Sequence, residues 1–62
     1  MEYYKVEGET REYFGIVVGA KSRKEARDKV YVYENGDVLD MDIRRLERGE
    51  IKEEKEMNQV IE

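Results

Sequence analysis

The chain has neither cysteine nor histidine in its 62 residues. No disulfide and no thiolate or imidazole metal site can therefore staple a fold this short, and the commonest general base is missing as well. Stability has to come from one thin apolar layer, since a chain of this length buries only about 60% of the surface its unfolded form exposes. Hydrophobic residues make up 39% of the chain and charged residues 45%, which suffices for one domain. No stretch approaches the roughly 18 apolar residues of a membrane span. Met1-Glu2-Tyr3-Tyr4-Lys5 lacks the basic and apolar blocks of a signal peptide. These absences point away from most enzymes, zinc fingers, secreted disulfide scaffolds and membrane proteins. They leave a small cytoplasmic domain with no cofactor as the expectation.

Residues 2–7 predict a strand, with Tyr4 and Val6 on one face and Tyr3, Lys5 and Glu7 on the other. Gly8-Glu9-Thr10 is a turn signal. Residues 12–20 form the strongest strand pattern, with Phe14, Ile16, Val18 and Ala20 on one face and Tyr13, Gly15, Val17 and Gly19 on the other. That second face is mostly small, so it either faces water or lets another element pack close. The two strands predict an antiparallel hairpin. Ser22-Arg23-Lys24-Glu25 is a capping box that starts a helix. Ala26, Val30 and Tyr33 follow at i, i+4 and i+7 as one apolar stripe, and Gly36 is placed to end the helix. A rival reading remains open here. Val30-Tyr31-Val32-Tyr33 suits a strand by propensity, and Asn35-Gly36 is a strong hairpin signal.

Met41 and Ile43 alternate with Asp40, Asp42 and Arg44, which predicts a strand near 40–46. Either reading yields an α+β domain over residues 1–49: three or four antiparallel strands, with one helix on one face. The expected core is Tyr4, Val6, Phe14, Ile16, Val18, Ala26, Val30, Tyr33, Leu39 and Ile43. Residues 50–62 are almost all charge at first, then place Met57, Val60 and Ile61 at i, i+3 and i+4, so they read as a charged tail or a short helix.

The string from Ala20 to Val30, followed by Tyr33, Asn35-Gly36-Asp37 and Leu39-Asp40, resembles the small domains grouped as DpnD/PcfM-like. Phages, conjugative elements and some restriction loci encode these. The similarity covers roughly residues 12–43 and implies a strand–strand–helix–strand domain, which favours the long helix. The resemblance carries no catalytic motif. It implies the setting of an accessory protein of a phage or mobile element.

Charge alternates by segment within a net charge of −4. Glu34, Asp37, Asp40 and Asp42 run without a base, and with Asn35 they invite a hard cation. Their spacing does not fit a calcium loop, so a solvated acidic loop is the reading adopted. Lys21, Ser22, Arg23, Lys24 and Arg27 surround the helix start, where free N–H groups and cations suit an anion. Arg44, Arg45 and Arg48 form a second basic patch. With an acidic excess overall, duplex binding is not expected, because phosphate neutralisation supplies most of that affinity. Tyr3, Tyr13 and Val17, with Tyr31, point away from the helix-packed face and form a candidate binding surface.

Paired carboxylates without an enclosed pocket do not make an enzyme. The reading that results is a non-enzymatic protein acting by protein–protein binding. Its thin core favours a homodimer, through an uncovered sheet face or an unpaired edge strand. The alternative is a nucleic-acid-associated module using Arg44, Arg45 and Arg48 with the basic helix start.

Overall fold

The computed structural model describes residues 1–9, 12–34, 38 and 40–62. Its element order is β1 (Glu2–Glu9), β2 (Tyr13–Ala20), α1 (Arg23–Tyr33), β3 (Asp40–Arg45), α2 (Arg48–Met57) and β4 (Gln59–Ile61). The strands make one sheet in the order β3-β1-β2-β4. β1 pairs antiparallel with both β2 and β3, whereas β4 pairs parallel with β2. The fold is the expected α+β class, with a mixed sheet where an antiparallel one was predicted and two helices where one was. The cause is α2. A helix that returns the chain across the sheet delivers the next strand parallel to the one before it, as antiparallel hairpins cannot.

Alternation along the strands sorts the side chains onto two faces. Tyr4, Val6, Ile16, Val18 and Ala20 lie on the first and pack with Ala26 and Val30 of α1; Phe14, Met41, Ile43 and Ile61 close the margin of this cluster. The register sets Val6 between Ile16 on one side and Ile43 on the other. On the second face stand Tyr3, Lys5 and Glu7 of β1 and Tyr13, Gly15, Val17 and Gly19 of β2. α2 covers this face. Lys5 reaches Glu54 at 2.8 Å, and a Cβ at Gly15 would sit 2.9 Å from the side-chain oxygen of Asn58. The small residues of this face make room for the helix. Val17 and Leu46 are consequently buried. α1 carries the chain from β2 past β1 to β3, and α2 carries it back past β1 and β2 to β4. Opposite directions on opposite faces give both crossovers the same hand, as parallel strand connections require.

α1 starts as its sequence dictates. Ser22 is extended (φ −153°, ψ 165°) and its hydroxyl accepts the Glu25 backbone N–H at 3.1 Å. The return half of the cap differs from the expected box, because the Glu25 carboxylate accepts from the Lys21 N–H, one residue earlier, at 3.2 Å. Residues 30–33 are helical, so the long helix holds and the strand reading of Val30-Tyr31-Val32-Tyr33 does not. Glu34 closes it, donating its N–H to Val30 O at 2.9 Å. The Gly36 cap, the Asn35-Gly36 hairpin signal, Asp37 and the Leu39 core position lie outside the described residues. Tyr33, expected in the core, is 50% exposed. It shares the Ala26–Val30 stripe, but at the helix end it meets the three-residue β4 and stands on the rim of a groove beside Ile61.

The segment read as a tail or short helix is α2 followed by a strand. At the start of α2 the Glu47 N–H donates to the Glu50 carboxylate at 3.1 Å, and at its end the Asn58 amide donates to the Glu54 carbonyl at 2.8 Å. Among the described residues no helix is long and apolar enough to cross a membrane.

Candidate functional site

Two grooves flank α1, one toward each edge of the sheet. The first lies between α1 and β3, has a volume of about 670 Å³, and is lined by Arg23, Lys24, Arg27 and Tyr31 facing Met41 and Ile43, with Asp40 and Asp42 at its rim. The Arg27 guanidinium stands 5.5 Å from the centre of the Tyr31 ring, within cation–π range. The second, about 410 Å³, lies between α1 and β4 and is walled by Val32, Tyr33 and Ile61, with Glu25, Asp28, Lys29 and Glu62 around it. Val32 is 79% exposed there. An apolar patch ringed by charge is the usual form of a contact surface.

The helix-start group Lys21, Ser22, Arg23 and Lys24 is assembled, but most of its donors are occupied. The Glu25 N–H is spent on the Ser22 hydroxyl, the Lys21 N–H on the Glu25 carboxylate, and Arg23 donates to the Ile43 carbonyl at 2.8 Å. Glu25 already sits in the first turn as the helix's own anion. Titration with inorganic phosphate is therefore expected to move the amide signals of residues 22–25 only by uniform ionic screening, as read by two-dimensional NMR. A selective shift confined to those amides would return the helix start to the list of ligand sites.

Arg44, Arg45 and Arg48 are not brought together as one patch. Arg44 and Arg45 are consecutive in β3 and so point to opposite faces. Arg44 pairs with Glu50 at 2.8 Å on the α2 side, and Arg45 pairs with Glu2 at 3.0 Å on the α1 side. The hydrogen bond to Glu50 raises the Arg44 pKa, and the same contact, with the Glu47 N–H, holds Glu50 below the usual carboxylate range. Arg45 and Arg48 do share a recess, with Leu46 and Glu47 between them.

Tyr3, Tyr13 and Val17 do not form an open surface, because α2 lies over that face. Val17 is fully buried. The Tyr3 ring carries the Lys55 ammonium 3.9 Å above its centre, and its hydroxyl donates to Glu62. Those contacts raise the Lys55 pKa and lower that of Glu62. Tyr13 alone stays exposed, its hydroxyl donating to Glu7. Tyr31 belongs to the α1–β3 groove instead. Glu7, Glu9, Asp40 and Asp42 gather beside Tyr13 around a shallow recess. Among the described residues no three acidic groups are disposed to hold a metal ion, and no buried side-chain polar atom lacks a partner.

Set against protein-family models, curated proteins and solved structures, the chain matches none. Its own geometry carries the functional reading. The α1–β4 groove was missed in the sequence because one of its walls, Ile61, belongs to a strand whose partner is distant in the chain. Val32 is the signal that was present: a β-branched residue one position off the buried stripe of α1.

Proposed function

We propose that this chain is a non-enzymatic accessory module that works by binding another protein, in the phage or mobile-element setting that the DpnD/PcfM-like resemblance supplies. The observation that carries the reading is the α1–β4 groove. Its walls are apolar, Val32 and Tyr33 stand open on a helix that is otherwise strongly charged, and Glu25, Asp28, Lys29 and Glu62 frame it. An apolar side chain of a partner fits the floor, and the mixed-sign frame supplies orientation rather than strength. The grooves around α1 are open and shallow, which suits contact better than catalysis.

The nucleic-acid alternative loses support from its own residues. Arg44 and Arg45 are each matched with a carboxylate, on opposite sides of the sheet. Phosphate binding would first have to separate those pairs.

Val32 is a suitable probe because an exposed position tolerates substitution within about 0.5 kcal/mol. In parallel captures from the cell of origin, immobilised wild-type protein is expected to retain a partner that Val32→Glu loses. Identical capture by the two would refute the groove. Binding to mixed oligonucleotides that falls steeply with salt, and is abolished when Arg44, Arg45 and Arg48 are replaced, would install the alternative in its place.

A further inference from the structure

β3 is an outer strand of the sheet, with β1 on its inner side only. The Leu46 N–H donates to Tyr3 O, so by alternation Arg44, Asp42 and Asp40 bond inward to β1, while Met41, Ile43 and Arg45 direct their backbone groups outward. Two of those outward groups are occupied by side chains: the Ile43 carbonyl by Arg23, and the Met41 N–H by the Asp40 carboxylate at 2.9 Å. Blocking an edge with local side chains is how single chains keep an open strand from pairing indiscriminately.

The strand reads Asp-Met-Asp-Ile-Arg-Arg, acidic at its start and basic at its end. Such a sequence complements itself when two copies run antiparallel. Within the chain its charges are poorly served by β1. Asp42 stands directly opposite Glu7, and Arg44 directly opposite Lys5, and like charges in that relation are destabilising.

We propose that β3 pairs antiparallel with β3 of a second copy about a two-fold axis at Ile43, joining two four-stranded sheets into one. In this register Ile43 faces Ile43 of the second copy, and Asp42 faces Arg44 of the second copy twice over; Arg44 keeps Glu50 on one guanidinium nitrogen and offers its other N–H groups to that Asp42. Met41, Ile43 and Arg45 are all outward-facing, so all three find backbone partners. A shift one way sets Asp42 against Asp42, which offsets the Asp40–Arg44 pairs it forms, and a shift the other way sets Arg44 against Arg44, so charge favours the register centred on Ile43. Arg45, which comes to lie opposite Met41, arrives with its own counterion, Glu2 at 3.0 Å. The α1–β3 groove leaves about 670 Å³ free above Met41 and Ile43, room for the side chains that the incoming strand sets on that face. Pairing exchanges the Arg23 and Asp40 contacts for backbone hydrogen bonds. The dimer also places β4 at both far ends of the joined sheet, so its two α1–β4 grooves stay open.

The test is sedimentation equilibrium over a dilution series, with Asp42→Arg and Arg44→Asp alone and mixed in equal amounts. Wild type is expected to rise from 7.4 kDa toward twice that mass as concentration increases. Each single substitution opposes like charges twice and is expected to weaken association roughly tenfold or more. The mixture restores it, because a chain with arginine at both positions then meets one with aspartate at both. Wild type at 7.4 kDa up to millimolar concentration would overturn the proposal. So would a dimer indifferent to the single substitutions, or a mixture that stays monomeric. Should circular dichroism find either variant unfolded, amide exchange of the wild type decides. Protection at Ile43 and Arg45 that grows with concentration supports the pairing, and constant protection refutes it.

Discussion

Replacing Val17 with Asp is expected to leave the chain unfolded at room temperature, while Tyr13→Asp, on the same strand and the same face, leaves it folded. Val17 is completely buried, opposite Lys5 of β1 and Val60 of β4 and beneath α2. The Lys5 ammonium is already committed to Glu54 at 2.8 Å, so a carboxylate at position 17 enters a closed layer with no spare cation. Burying an unpaired charge costs several kcal/mol even after the structure relaxes. A domain of this size has about 3–9 kcal/mol in all, at roughly 0.05–0.15 kcal/mol per residue. Tyr13 is 65% exposed, so an Asp there stays in water, and the like charge of Glu9 directly opposite should cost only about 1 kcal/mol or less. Urea titration followed by circular dichroism separates the two. Equal tolerance at both positions would mean that α2 does not lie on the sheet.

The contrast between Val17 and Tyr13 also marks where the sequence stops being legible. The β1–β2 hairpin and α1 could be read because each obeys a simple rule: a period of two along residues 12–20, then Ser22 and Glu25 ahead of Ala26 and Val30. α2 obeys no such rule. Its Arg-Gly-Glu-Ile-Lys-Glu-Glu-Lys-Glu-Met string has no apolar stripe, and none of its residues is fully buried. It holds the sheet through charged ends, Glu54 on Lys5, Lys55 on the Tyr3 ring and Glu50 on Arg44, which a hydrophobic pattern cannot register. Gly15 and Gly19 were the available sign, since a face of small residues is built for close approach, but they do not say what approaches.

The layout of the basic residues is hidden for a different reason. Arg44, Arg45 and Arg48 are neighbours in the chain, and the strand predicted for residues 40–46 already required the first two to diverge. The same alternation places Asp42 and Arg44 together on one face of an outer strand. The self-complementary charge of β3 was thus visible in the sequence, but its meaning depended on knowing that β3 is an edge.

Glu54→Ala is expected to cost about 3 kcal/mol, more than any other single ion-pair truncation among the described residues. Both side chains of the Lys5–Glu54 pair are only 13% exposed, whereas at least one partner of every other pair among the described residues is about a third exposed or more. Surface pairs of that kind contribute roughly 0–1 kcal/mol. Truncating Glu54 leaves the Lys5 ammonium under α2 beside Val17, without its counterion and shielded from water. The pair itself adds little net stability, because desolvating two charges offsets most of their attraction. Lys5→Met combined with Glu54→Leu should therefore recover to within about 1 kcal/mol of wild type. A double-mutant cycle in urea measures both quantities. What the double variant loses is position rather than stability. Lys5 on the inner strand β1 is a single point to which a charged, stripe-free helix can be registered, and an apolar pair offers several seats of similar energy. Broadened amide signals for residues 48–57 in a double variant of near-normal stability would be the signature of that loss. Sharp signals would mean that Gly15 and Asn58 seat the helix by shape alone.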